Sequence, residues 1–507
     1  MIRRLAVAAA LALALPAGTP AFAADDTLVV GTMWESLPLS MKPRRSRFFN
    51  ESEILDTLVK LDYDMNLVPG LATGWERLSP TEWRFTLREG VTFHDGAPFD
   101  AEAAKFSLER VIALLPYAAD LLNIASIKVS DPTTLLITTS EPFAALPNQL
   151  TDAITGIYAK ASFDEAGEFV KPVGTGPFAF ADYQKQQHTV VERFDDYWGE
   201  TPALDKIVYR YIPDHNARTI ALETGELDVA INPLPADVRR LEGTDFQVFA
   251  EPTAGLYYGA FNAAEDRPTG DPKVRKALDL LIDRDLIVNG ALDGVGLPAR
   301  TFFSPAFDWV PDSAPVTPHD PEAARALLKE AGYEKVDGAW QKDGKPLTLE
   351  VLSYSSRTEM ALIADALTAL LAQEGIATDV KLFTWPGMVE LVRDGQYDIS
   401  IVFWTPEMTG HPDLHLKSQF HSDAGLNWTN WTNEEFDALV DKGRGLDPGA
   451  EWDETYGRAL QIMADEAMVL PLVHKVYTAA ASPAVEGMRI HPSGFFYDFK
   501  SVSKSAD

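Results

Sequence analysis

The chain contains no cysteine. That removes disulfides, thiolate nucleophiles, iron–sulfur clusters and cysteine-ligated zinc together. Basic residues are also scarce: 44 Lys and Arg stand against 75 Asp and Glu in 507 residues, a formal charge of −31. Nucleic acid and anionic membrane surfaces both recruit clustered Lys and Arg, so the balance argues against either partner. Beyond the first segment no apolar run reaches 18 residues, which argues against a membrane span. No local signature of catalysis is present either, neither G-x-S-x-G, H-E-x-x-H, G-x-x-x-x-G-K-[ST] nor G-x-G-x-x-G after a strand. Nothing favours an enzyme, and a secreted hydrolase is the least supported alternative.

Hydrophobic residues make up 46% of the chain and aromatics 10%, enough for more than one sizeable core. Residues 1–23 read as a cleavable export signal: Arg3 and Arg4, the apolar run Leu5–Leu15, Pro16, and the A-x-A pattern Ala21-Phe22-Ala23. The run is too short to span about 30 Å of hydrocarbon. A lipid anchor would need a cysteine after the cleavage point. Removal of the segment takes the formal charge from −31 to −33. The mature protein is expected in the bacterial periplasm, exported and not lipid-anchored.

The mature chain alternates short β-rich runs with amphipathic helices, which predicts an α/β architecture of two lobes, each on its own sheet. Strands are expected at Thr27–Gly31, Trp83–Leu87, Leu135–Thr139 and Val190–Arg193, with another after the turn at Gly90–Phe93. Asp100 reads as the N-cap of a helix whose apolar face runs through Phe106, Val111 and Leu114. GTGPF (174–178) is a glycine-punctuated turn without the Lys of a phosphate loop. In the second half, Asp271-Pro272 and Asp320-Pro321 each join an N-cap acid to a first-turn Pro. Strands at Leu347–Tyr354, Ala377–Phe383 and Tyr397–Trp404 alternate with helices at Thr358–Gln373 and Met388–Asp394. The continuous apolar run of Tyr397–Trp404 is typical of a parallel-sheet strand buried on both faces.

His411, His415 and His421 fall within eleven residues, with Asp413 between them. Imidazoles and a carboxylate at this spacing suit Ni²⁺, Cu²⁺ or Zn²⁺. The other reading is a polar loop with solvated or hydrogen-bonded imidazoles, and Pro412 opposes a helix with His411 and His415 on one face. In open α/β sheets, ligands bind beyond the carboxyl ends of strands. Arg357 follows the strand ending at Tyr354 and Glu407 the strand ending at Trp404. The pair is placed to take a ligand's carboxylate and ammonium, with Trp404 as an apolar or cation–π wall. Alternatively both are solvated loop charges, or they pair with each other. The basic patch Lys42, Arg44, Arg45 and Arg47 either faces an anionic ligand group or is solvated. Phe48-Phe49, Tyr257-Tyr258 and Trp428…Trp431 read as core.

Several ordered blocks carry a family resemblance: LVPGLATGWERLSPTEWRFTLREGVTFHDGAPFDAEAAKFSLERV (67–111), PVGTGPFAFADY (172–183), VERFDDYWGETPALDKIVYRYIPD (191–214), ARTIALETGELDVA (217–230) and DPEAARALLKEAGY (320–333). Together they resemble the extracytoplasmic solute-binding proteins of ABC importers, in the peptide- and nickel-binding family 5. The resemblance implies a two-lobed periplasmic-binding-protein fold with a hinge and an extra subdomain in lobe I. Lobe I would span 24–260 with the insert at about 66–170, lobe II 261–474, and residues 475–507 would return to lobe I. The chain would cross near Tyr258–Asn262 and return near Val473–Ala479.

The implied mechanism is binding without chemistry and without a required cofactor. A monomer closes on a small-molecule ligand and docks on a permease, with its ATPase, at the inner membrane. Trp404-Thr405-Pro406-Glu407 is similar to the strand-end W-x-x-D with which peptide-binding members hold an amino group, Glu replacing Asp. Tyr117 lies in a region similar to nickel-type members, and His421 matches a histidine of their loop. Pro116 and Ala119 stand about where two of their chelator-holding residues would be. The implied ligand is a short peptide or an amino-acid-derived chelate of Ni or another transition metal. The alternative is a metal or metal chelate held by His411, His415 and His421.

Overall fold

The computed structural model describes residues 26–35, 53–304, 310, 314–405, 408–494 and 497–505, the side chains of Pro116 and Tyr117 excepted. The expected export signal, Arg45 with its basic neighbours, and Glu407 lie outside the described residues.

Two long strands, Gln247–Phe261 and Val469–Ala481, pair antiparallel through the middle of the molecule. On one side the sheet continues through Val229–Ile231, Thr27–Thr32, Lys206–Tyr211, His188–Arg193 and Phe178–Gln184. On the other it continues through Ile399–Trp404, Thr348–Tyr354 and Ala377–Phe383. With Leu297–Pro298, which also pairs Val469–Ala481, this makes one 11-stranded mixed sheet. The expected separate sheet in each lobe is therefore corrected. The long strands keep hydrogen-bonded neighbours from both halves, so the two sheets join edge to edge. Ile399–Trp404 is buried at every position but its last. It is parallel to Thr348–Tyr354 and antiparallel to Gln247–Phe261.

Between Pro252 and Leu256 the central ladder shifts register, leaving Thr253, Ala254 and Gly255 opposite Lys475. Such a bulge bends the strand and re-aims side chains. Thr253 Oγ1 donates to the Lys475 carbonyl at 3.0 Å. Gly255 is required by close approach: a Cβ there would lie 2.9 Å from the Phe403 ring and 3.0 Å from Lys475 Cβ. The residues expected to carry the chain across, Tyr258–Asn262 and Val473–Ala479, lie on or directly beside these two strands.

A separate four-stranded antiparallel sheet joins Ala72–Ser79, Glu82–Leu87, Thr134–Thr139 and Ile124–Asp131. It packs with the helix Ala101–Leu114, where Asp100 accepts from the Ala103 amide as expected. The buried face of that helix is Ala101, Ala104, Ser107, Leu108 and Val111. Phe106 is half-buried and Leu114 exposed, because the stripe follows the small residues at helical spacing. No strand follows Gly90–Phe93, only a single bridge between Thr92 and Pro98. Asp271 and Asp320 cap Pro272–Leu281 and Pro321–Glu330. The helix expected at Met388–Asp394 starts earlier, as Trp385–Arg393, with Pro386 in its first turn.

The GTGPF turn packs backbone to backbone against Glu53 and Ile54. The Gly176 amide donates to the Ile54 carbonyl at 3.1 Å, and a Cβ on Gly176 would lie 2.1 Å from the Glu53 carbonyl oxygen. Main chain has little room to give, so Gly176→Ala is expected to cost about 1–3 kcal/mol. Denaturant unfolding against wild type measures this; unchanged stability would contradict the packing described.

Candidate ligand-binding site

The carboxyl end of Thr348–Tyr354 leads to Arg357, and that of Thr27–Thr32, in the other half of the sheet, leads to Trp34. The Arg357 guanidinium lies 4.2 Å from the centroid of Phe403 and 5.5 Å from that of Trp34. A cation from one half is thus held against aromatic faces from both. Lys475, projecting from the bulge, pairs with Glu359 Oε1 at 2.8 Å. Among the described residues Arg357 has no salt bridge, so one half-buried carboxylate, paired with Lys475, stands near two cations.

Burial pushes the Glu359 carboxyl up, but Lys475 and then Arg357 outweigh it and hold it at about 2. Tyr257, 4.9 Å from Phe403 ring to ring, has a buried hydroxyl without a hydrogen-bond partner among the described residues. Burial raises its pKa well above the usual range, so it is a neutral phenol. Beyond these, Tyr354, Trp385, Trp404 and His415 form a run of edge-to-face rings at 5.1, 6.1 and 5.6 Å. Trp404 is half-buried and stands in this run of rings.

Beside the loop that follows Trp404, a cavity of about 210 Å³ is bounded by the Glu53–Tyr63 segment, Thr151–Ala153, Met408 and the chain around His491–Lys500. Its lining holds five acids (Glu53, Asp56, Asp62, Asp152, Asp498) and two lysines, Lys60 and Lys500. Asp56 is already satisfied by Lys60 at 2.5 Å, Thr175 Oγ1 at 3.0 Å and Trp198 Nε1 at 2.8 Å. Tyr63 donates its hydroxyl to Asp498 Oδ2 at 3.1 Å. Burial lowers the pKa of His491, which hydrogen-bonds the Leu61 carbonyl at 3.2 Å.

The three loop histidines are not gathered into one ligand set. His411 is buried and accepts the Trp452 indole N–H at 3.2 Å. Burial, then Arg444, pushes its pKa down to about 3. His415 is buried against Trp404 and Phe302. His421 Nε2 lies 3.4 Å from Asp441 and 3.9 Å from Asp437, both on the helix Glu434–Gly443. Among the described residues no group of three or more His, Cys, Asp or Glu is placed to hold a metal ion. The helical turn Asp413–His415 and the residues Leu416–Phe420 turn the imidazoles into different packing environments. The backbone of Tyr117 lies in the helix Pro116–Leu122, while its side chain, like Arg45 and Glu407, is outside the described residues.

Sequence reasoning missed Trp34, Glu359 and Lys475. Trp34 follows a strand end as Arg357 does, so the same rule applied to Thr27–Thr32 finds it. Glu359 stands in the first turn of its helix, two residues after Arg357. Nothing local marks Lys475, whose direction follows from the bulge.

A carboxyl held below its unfolded value contributes stability above that value and loses it as pH falls. For Glu359 the window runs from about 4.5 down to about 2. Wild type should lose up to about 3 kcal/mol more than Glu359→Gln across it, measured by denaturant unfolding at stepped pH. Parallel acid profiles would contradict the ion pair's role.

The chain matches the family model of bacterial extracellular solute-binding proteins, family 5 Middle, over residues 66–427. It is 31% identical over 507 residues to the glutathione-binding protein GsiB of Salmonella paratyphi A, covering 95% of each chain. It is 28% identical over 471 residues to the dipeptide-binding protein of Escherichia coli K12, covering 86% of each. The structure of NikA from Brucella suis in complex with Fe(III)-EDTA shares its fold with a TM-score of 0.87 at 25% identity, covering 95% of this chain and 100% of that one. No helix among the described residues is long and apolar enough to cross a membrane. The homologues are binding proteins rather than enzymes, and the chain belongs to the extracytoplasmic solute-binding proteins of family 5, the substrate-binding components of peptide- and nickel-type ABC importers.

Proposed function

We propose that this protein captures, in the periplasm, a small ligand bearing both a carboxylate and an amine, and delivers it by lobe closure to an inner-membrane permease. The observation that carries the reading is Arg357, half-buried between Trp34 and Phe403 without a salt bridge among the described residues, beside a lysine that has one. A desolvated cation without a counter-ion is costly, and a carboxylate accepting its two-pronged hydrogen bonds removes that cost. Arg357 and Trp34 come from opposite halves of the sheet. A ligand on Arg357 therefore gains contacts available only when the halves meet, which favours the closed state.

The relatives support this class. Dipeptide, glutathione and Fe(III)-EDTA, named for the proteins above, all carry carboxylates. A short peptide and an amino-acid-derived metal chelate both fit, the metal arriving inside the chelate as cargo. Glu407 is the sequence-level candidate for the amine, by its W-x-x-D-like position after Trp404. The export pattern of residues 1–23 and the lack of a cysteine support a periplasmic carrier without a lipid tether.

Calorimetry with dialanine, trialanine, glutathione and a nickel–histidine complex tests the reading. At least one should bind one-to-one and be recovered unchanged. Arg357→Gln should weaken it by about 10- to 100-fold, and should not weaken its carboxyl-amidated form further. Silence of all four, or equal loss for acid and amide, would contradict the proposal.

A further inference from the structure

The acid-lined cavity contains a group that the carboxylate site does not use. Glu53 is 4% exposed and lines the cavity of about 210 Å³, and its buried Oε2 has no hydrogen-bond partner among the described residues. Its backbone sits at φ +57°, the left-handed region that non-glycine residues seldom adopt. The Gly174–Gly176 turn holds it there: the Phe178 amide donates to the Glu53 carbonyl at 3.3 Å, and Gly176 abuts the same oxygen. The fold therefore keeps a strained residue in place at the wall of the cavity. Asp498, the nearest acid, already accepts from Tyr63 and Ser501, at 3.1 Å each. Once Lys60 is spent on Asp56, four acids of the lining face a single lysine, Lys500.

We propose that Glu53, in place of the sequence-level candidate Glu407, is the receptor for the ligand's ammonium group, binding it in the cavity beside Asp498. This rests on the zwitterionic-ligand reading above and supplies its second pole. A metal ion is the wrong occupant, since the described acids are not grouped as a ligand set, whereas an ammonium needs only one or two acceptors with loose angular demands.

The charge balance defines the step. Burial, then the neighbouring Asp498 carboxylate, raises the Glu53 carboxyl well above the usual carboxylate range, so the empty site holds a proton there. Lys500 and Lys60 oppose this more weakly. Asp56 is paired, Tyr63 and Tyr197 are neutral phenols, and His491 is kept neutral by burial. Asp62 and Asp152 complete the acids around the cavity. When the ammonium enters, the carboxylic proton leaves to solvent and the carboxylate takes the ammonium as its counter-ion. One positive charge enters and one leaves, so the buried site never carries an extra charge. Affinity for a free-amine ligand should therefore rise with pH through the Glu53 range.

The test uses the mature full chain, titrated with dialanine, trialanine and glutathione, each with a free or an acetylated amine. In wild type the free-amine probe that binds best should release protons as it binds, seen as a dependence of its binding heat on the buffer's ionisation enthalpy. Glu53→Gln should abolish that release and weaken the free-amine probe by about 10- to 100-fold, while leaving its acetylated form unchanged, which also proves the variant folded. Equal weakening of free and acetylated probes, no weakening of either, or proton release surviving in Glu53→Gln would overturn the proposal. Failure of the carboxylate reading looks different: Arg357→Gln then treats acid and amide alike while the Glu53 response persists. If no free-amine probe binds wild type, both are overturned.

Discussion

The structure depends on the antiparallel pairing of Gln247–Phe261 with Val469–Ala481. Gln247–Phe261 also pairs Ile399–Trp404 and Val469–Ala481 also pairs Val229–Ile231, so the two halves of the sheet join through this ladder. Their ladder is not regular. The bulge at Thr253–Gly255 sits where pairing passes from one half to the other, and it turns Lys475 toward the helix that carries Glu359 and follows Arg357. The irregularity that makes the sheet bendable thus also assembles the charged part of the site. Gly255 permits it because Phe403 and Lys475 leave no room for a side chain.

Charge is distributed against the average of the chain. In a protein with formal charge −31, Arg357 has no salt bridge among the described residues. Its counterpart is a cavity where acids outnumber lysines, with a carboxyl oxygen left unbonded at Glu53. Each feature alone is an unpaired polar group that folding would ordinarily remove. Together they describe complementary poles, which is the pattern expected of a site for a zwitterion. The surrounding rings of Trp34, Phe403, Trp385 and Trp404 provide a weakly polar wall on which such a ligand loses little besides its hydration.

Much of the fold is legible in the sequence because it is written locally. Asp100, Asp271 and Asp320 mark helix starts through a cap that needs only three or four residues of context. Thr358–Gln373 and Ala377–Phe383 fall where periodicity puts them. The family blocks supply the architecture that periodicity does not. What local pattern misses is set by distant packing. The fusion of two sheets into one follows from pairings more than 200 residues apart. The histidine loop reads as polar or metal-binding, yet His411 and His421 are drawn into contacts with Trp452, Asp437 and Asp441, on helices further along the chain. Among the candidate residues, Arg357 and Trp404 stand at or beyond strand ends and are legible by that position, whereas Lys475 and Glu53 depend on the bulge and the GTGPF turn for their placement.

The central claim is that the cleft holds a small zwitterion through opposite charges. Native mass spectrometry of the protein isolated from its own periplasm, followed by identification of what it releases, tests this most directly. One ligand per chain, carrying both a carboxylate and a basic amine, free or within a metal chelate, is the predicted result. A retained ligand lacking either group, such as a neutral sugar, would contradict the account.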